Sequence, residues 1–189
     1  MPSSTPVRVR GLTAVAAAAA GALLVAACGR PGTTLQPYTS ERFGYVISTP
    51  SSWVRVDTQD GQRQWFLPAA PPAGELPEAT ASEFIVVMSL EQSGPLSEPD
   101  VRRLAMSLLP MHGVSGFQRM AASTVEVAWY HFELTGSTGG REWASVGVLA
   151  SGARRLHYVV CAGPLADWRV RQKICDEVLR SFKPGSLSP

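Results

Sequence analysis

The feature that most constrains this chain is the run Leu23, Leu24, Val25, Ala26, Ala27, Cys28. An apolar stretch that ends in two small residues and a cysteine has the form of a bacterial lipobox. Ahead of it, residues 1–10 carry Arg8 and Arg10 and no acidic group, and residues 11–27 are uncharged, alanine-rich and short for a membrane span. That is the layout of a secretory leader with a positive n-region and an apolar h-region. The chemistry fits the residue types. The Cys28 thiol accepts a diacylglyceryl group, and small residues before it admit the peptidase. Two or more acyl chains, palmitate among them, then anchor the product stably. Residues 1–27 are therefore expected to be a lipoprotein signal peptide and Cys28 the lipid-bearing first residue of the mature chain. The alternative is an uncleaved N-terminal anchor with an incidental cysteine.

This partition decides what is left to fold. Of 189 residues, the remainder suffices for one hydrophobic core and not for two. Residues 28–37, rich in Gly, Pro and Thr, read as a flexible tether. Residues 38–184 read as the globular domain, and 185–189 as a tail. The leader takes two arginines and no acid with it, so the mature chain holds equal numbers of basic and acidic groups. That excludes a general nucleic-acid binder, which needs a basic footprint to neutralise phosphates. Of three cysteines, Cys28 is assigned to lipid. Cys161 and Cys175 remain, and in an exported chain they are candidates for a disulfide. Its closure would add roughly 3 kcal/mol in the chain-entropy model. The alternative is two buried free thiols.

Along the domain, residues 42–48 read as a strand, residues 49–52 as a turn, and residues 53–56 and 64–67 as further short strands. Residues 68–82 are rich in Pro, Ala and Glu without hydrophobic period, which predicts an exposed, mobile loop. Residues 83–90 form the strongest strand signal. Their continuous apolar middle predicts a central strand covered on both faces. Ser97 then opens a helix, with Pro99 in the first turn and Asp100 three residues on. Val101, Leu104, Ala105 and Leu108 give that helix one apolar face, and Pro110 stops it. Residues 117–152 predict an antiparallel meander, with residues 136–140 as a glycine-rich turn and residues 155–161 as the last strand. Alternation in the first long strand places Tyr130, Phe132 and Leu134 on one face, and Trp129, His131 and Glu133 on the other. Asp167 is placed to cap a C-terminal helix running to Phe182. Val170, Ile174, Val178 and Phe182 are its expected apolar stripe. The class is α+β: an antiparallel β-sheet with one inserted helix and one C-terminal helix.

Candidate chemistry is sparse. His112, His131 and His157 have no short ligand spacing. His131 and His157, with Glu133, are the residues a metal-dependent enzyme would use if the sheet brought them together. Gly113, Val114, Ser115 and Gly116 do not form a nucleophile elbow, and no ordered Ser, Asp and His pattern accompanies them. The glycine-rich turn is not followed by a lysine and a helix, as a phosphate-binding loop requires. The chain is thus expected to be no enzyme and to need neither cofactor nor metal. The five tryptophans are mostly core candidates. Trp129 and Trp143, odd-numbered like His131, are expected to share its face and line an aromatic groove for a ligand or partner.

Three features together carry a resemblance. Arg42, Phe43, Gly44 and Tyr45 are followed by Pro50, Ser51, Ser52 and Trp53; a strand–helix–meander order comes next; the last helix ends Val178, Leu179, Arg180, Ser181, Phe182. This resembles the PsbP-like superfamily, which includes LpqN-type bacterial lipoproteins, over roughly residues 38–184. The resemblance implies a sheet–helix sandwich and a binding or accessory role, with no shared catalytic residues to carry over. The expected function is a non-enzymatic accessory or protein-binding module of a bacterial cell envelope. It is held on the extracytoplasmic side of a membrane through Cys28 and works with an envelope protein partner. The alternatives are a carrier of a small apolar ligand and the metal-dependent enzyme above.

Overall fold

A computed structural model of the protein describes residues 33–58, 61–94, 96–107, 113–124, 127–138 and 140–185. The leader, Cys28, Leu108, Pro110 and His112 lie outside the described residues, as do the last four of the expected tail.

A sheet of seven strands carries the domain. Its members are β3 (Val54–Asp57), β4 (Arg63–Leu67), β5 (Phe84–Glu91), β6 (Gly113–Arg119), β7 (Ala128–Thr138), β8 (Arg141–Ser151) and β9 (Arg155–Pro164). The spatial order is β3-β4-β5-β9-β8-β7-β6, and every neighbouring pair is antiparallel. The continuous apolar run in β5 matches its place: between β4 and β9, with both faces covered. Period-2 alternation splits it. Phe84, Val86 and Met88 enter one core, while Ile85 and Val87 enter the other.

The first core lies under the inserted helix α2 (Glu98–Ser107), which sends Val101 and Ala105 into it. Ser97 caps this helix as its position predicts. Its hydroxyl accepts from the Asp100 amide at 3.4 Å and donates to the Asp100 carboxylate at 2.5 Å. Residues 68–82 contain one short helical turn, α1 (Pro77–Thr80).

The second core lies under the C-terminal helix α3 (Trp168–Ser181) and a small sheet of β1 (Leu35–Ser40), β2 (Tyr45–Pro50) and β10 (Lys183–Pro184), ordered β1-β2-β10. Two expectations change here. The domain begins at Leu35, inside the stretch read as tether. Leu35 pairs with Pro50, and Leu35 and Tyr38 pack against the second core. Its Pro37 is tolerated because β1 is an edge strand. Gly44, at φ 64°, makes the tight turn into β2. Lys183 and Pro184, read as a helix stop, do leave the helix but then pair with Val46 and Tyr45 of β2.

Of the expected α3 stripe, Ile174, Val178 and Phe182 pack into the second core, and Val170 does not. Cys175, Val178, Leu179 and Phe182 are buried, whereas Val170 is 55% exposed. Cys175 is disulfide-bonded to Cys161 on β9, with Cα atoms 5.3 Å apart. That bond fastens the buried side of the helix to the sheet. Asp167 does hold the N-cap position, but its side chain makes no capping bond, and a 3-10 turn, Leu165–Asp167, leads in instead.

Candidate functional site

Helix α3 crosses β8, β9 and β2, and the sheet continues past it to β7 and β6. Where the helix runs out, a groove of about 440 Å³ remains. Trp129 and His131 of β7 and Val148 of β8 line its floor, and Leu179 and Phe182 line the helix side. Trp129 meets the Phe182 ring edge-to-face, with centroids 6.2 Å apart. The opposite wall is Met120 and Ala122, in the turn between β6 and β7.

That turn is tied down by its own sequence. The Met120 amide donates to the Trp129 carbonyl at 2.8 Å. The Ser123 hydroxyl donates to the same carbonyl at 3.1 Å and accepts from the Trp129 amide at 2.9 Å. The Val127 amide donates to the Thr124 hydroxyl at 3.0 Å. Ser and Thr in turns bond nearby backbone in this manner. The wall is therefore pre-formed.

The polar groups of the groove are few. Nδ1 of His131 is shielded from solvent and has no hydrogen-bond partner among the described residues. Asp176 and Arg180 stand one turn apart on α3 at the rim. Arg180 lies in the last turn, where the helix dipole favours a cation.

Trp143 is not part of this face. It is 1% exposed in the other core, with its ring 5.8 Å from Phe84 and its indole lying against Gly136, where no Cβ would fit. The reason is register. Trp129 pairs with Ala150, and Gly136 with Trp143. Cross-strand partners share a face, so each odd-numbered residue of β7 shares its face with an even-numbered residue of β8. Gly136 is accordingly a strand position, not part of the turn, which contains Gly140 at φ 76°.

Register also keeps apart the residues a metal-dependent enzyme would use. His131 and His157 lie on the same face, but β8 stands between their strands. Val148 is the partner of His131, while Ala150 is the partner of His157. Glu133 points to the surface beside Gly116. No group of three or more His, Cys, Asp or Glu side chains among the described residues is placed to hold a metal.

His157 is a core residue. It is 1% exposed, takes Ser89 Oγ at 2.9 Å on Nδ1, and lies edge-to-face on Tyr45 and Phe182. Burial, helped by Arg155, lowers its pKa to about 4, so it is neutral. The Ser89–His157 contact is sealed from substrate by the same burial.

A smaller cleft of about 250 Å³ lies at the disulfide, bordered by Trp53, Glu83, Arg171 and Ile174. Glu83 is ion-paired with Arg171, and burial raises its carboxyl pKa against the opposing pull of that guanidinium. Sequence reasoning missed this pair and the groove walls at Met120, Ala122 and Leu179. Neither has a local signature.

No protein-family model matches the sequence, and no curated protein sequence matches it. Solved structures do. Cyanobacterial PsbP (CyanoP) from Synechocystis sp. PCC 6803 is similar at a TM-score of 0.58 and 17% identity, covering 85% of this chain and 98% of that one. A protein from Bacteroides thetaiotaomicron VPI-5482 is similar at a TM-score of 0.50 and 9% identity, over 79% of this chain. Only 48% of that protein is covered, so the chain spans about half its length. LpqN of Mycobacterium tuberculosis, involved in cell envelope biogenesis, is matched more loosely, at a TM-score of 0.45 and 10% identity over 80% of this chain and 91% of that one. The antiparallel sheet between two helical layers, and its likeness to CyanoP along almost the whole of that chain, show that this protein has the PsbP-like α+β fold.

Proposed function

We propose that this chain is a non-enzymatic accessory module of a bacterial cell envelope, tethered on the extracytoplasmic side through lipid on Cys28, and that it engages a partner protein at the Trp129–His131 groove. The carrying observation is the groove itself. It is an aromatic recess with a hydrogen-bonded wall, left where α3 ends. Apolar recesses with a few convergent polar groups are where partners bury anchor side chains. The lipobox motif supports the anchoring, and the PsbP-like resemblance supports an accessory role.

Two experiments test this. Intact mass of the mature protein should show loss of residues 1–27 and lipid on Cys28. An unmodified Cys28 with the leader still attached would end the anchoring claim. A photo-crosslinking residue at position 122, in the full chain in native membranes, should give one protein adduct. The same residue at position 102, on the exposed side of α2, should not give that adduct. Equal adducts from both positions would remove the groove as the docking site.

A second reading is favoured by the size of the groove. A volume of about 440 Å³ falls within the usual range for small-molecule sites, which supports a carrier of a small apolar ligand.

A further inference from the structure

The length of chain ahead of the first strand decides which end of the domain meets its anchor. Resting on the proposed lipid at Cys28, we infer that the bilayer is itself a docking surface for this domain. The sheet end that carries Thr34 lies on the membrane, with Leu165 and Val170 set shallowly among the lipid headgroups.

The tether is short. The Thr34 carbonyl already accepts from the Ser51 amide at 2.9 Å, so the fold holds the chain from there on. Only residues 29–33 separate Thr34 from Cys28, and that stretch spans at most about 21 Å fully extended. One end of the domain is therefore kept near the bilayer. Register shows what else lies at that end. Leu35 pairs with Pro50, Val54 with Leu67, Phe84 with Ala162, and Pro164 with Trp143. Thr33, Pro50, Trp53, Pro68 and Arg171 border the same cleft at the disulfide. The first turn of α3 and these strand ends thus share one side of the molecule.

Exposed apolar side chains gather there too. Among the described residues, Val54, Leu76, Met106, Leu165 and Val170 are the large hydrophobic side chains left exposed. All but Met106 belong to this end. Val54 opens β3, Leu76 sits in the connection from β4 to β5, and Leu165 and Val170 flank the start of α3. Leu165 is 45% and Val170 55% exposed, whereas Ile174, one turn further along α3, packs against the second core. Trp53, half-buried beside Thr33, is of the residue type that prefers headgroup depth. Charge does not supply the attraction. Glu83 pairs with Arg171, Asp167 stands two residues before Arg169, and Arg141 is followed by Glu142. Opposed neighbours of this kind do not make a polybasic surface, and they leave apolar burial as the driving term. The groove lies away from this contact. Trp129 pairs with Ala150, at the opposite end of β8 from Trp143, and Phe182 is about 18 Å further along α3 than Val170.

The test is photo-crosslinking of the full lipidated chain in phosphatidylcholine vesicles, with a benzophenone side chain at position 165, 170 or 154 and intact mass as the readout. Arg154 is exposed in the turn between β8 and β9, at the opposite end of the sheet. Phospholipid adducts are expected at positions 165 and 170, at least about fivefold above position 154. Val170→Asp should lower the adduct at position 165 at least about threefold, and the milder Val170→Ser should act in the same direction. Thermal unfolding confirms that both variants fold. Replacing part of the lipid with phosphatidylglycerol should change the yield less than about twofold. Equal adducts at all three positions would overturn the inference and leave the anchor standing, because lipid on Cys28 is read in the same spectra. An adduct at position 165 unchanged by both substitutions would mean proximity without contact, and would overturn it as well. A large gain with phosphatidylglycerol would overturn the apolar contact in favour of a charged one. An unmodified Cys28 would remove the anchor and the inference together.

Discussion

The two faces of the seven-stranded sheet are closed by different means. Beneath α2, aromatic side chains do most of the filling. Phe132 stacks on Tyr158 with centroids 5.3 Å apart, and Trp65 and Trp143 both meet Phe84 edge-on. The helix itself buries only Val101 and Ala105. Beneath α3, the fill is lighter and the fastening stronger. A disulfide holds the helix to β9, and Ser181 accepts from the Ser48 amide at 2.7 Å, tying the helix to β2. The first face is closed mainly by packed aromatic side chains. The second is pinned along one side of a helix, and the strand beyond that helix stays uncovered. The groove lies there.

Breaking each face separately sharpens the contrast. Phe132→Ala should cost about 3–5 kcal/mol in denaturant unfolding, because it empties the centre of that face. A loss under about 1 kcal/mol would mean that the aromatic stack is not what closes that face.

Paired Cys161→Ala and Cys175→Ala should cost roughly 3 kcal/mol. Hydrogen exchange should then rise in α3 while α2 keeps its protection. Equal loosening of both helices would show that the faces do not act separately.

Acid should also act on the α3 face first. The folded pKa of His157, about 4, lies below its ordinary value of 6.5. The unfolded chain therefore takes up the proton first. The contribution is complete above pH 6.5 and is lost as pH falls from there toward 4, by at most about 3 kcal/mol. His157→Gln should flatten that slope in a pH series of unfolding curves. An unchanged slope would assign it to carboxylates instead.

Ser97→Ala should cost about 1 kcal/mol through the lost cap of α2. Groove binding, on the far face, should not change. A coupled loss of affinity would mean that the two layers communicate.

Much of this architecture is legible in local chemistry. The apolar run of β5 announces a doubly covered strand, and Ser97 with Asp100 announces the start of α2. Alternation in β7 sorts Tyr130, Phe132 and Leu134 from Trp129, His131 and Glu133, as the structure has them. Each of these is a property of one segment. The failures all concern relations between segments. Trp143 reads as a neighbour of Trp129 if odd numbers are matched, yet the β7–β8 register reverses the parity. Val170 reads as core by helical period, yet it stands exposed in the first turn of α3 while Ile174, Val178 and Phe182 of the same stripe meet the second core. Leu35 looks like tether until β2 is there to pair with it.

The residue chemistry alone thus gives most of the strand and helix segments, the two faces of β5 and β7, the disulfide candidates and the lipobox-like run that ends at Cys28. Those depend on backbone preference, on side-chain alternation and on short motifs, all readable within a few residues. The tertiary structure alone decides which faces meet and where α3 stops short of β7. Register and helix placement are set by contacts distant in sequence, and a shift of one residue moves every side chain to the opposite face. The groove exists only through that placement: Met120, Trp129, Val148 and Phe182 form no motif along the chain and become a site only where the helix leaves the sheet bare.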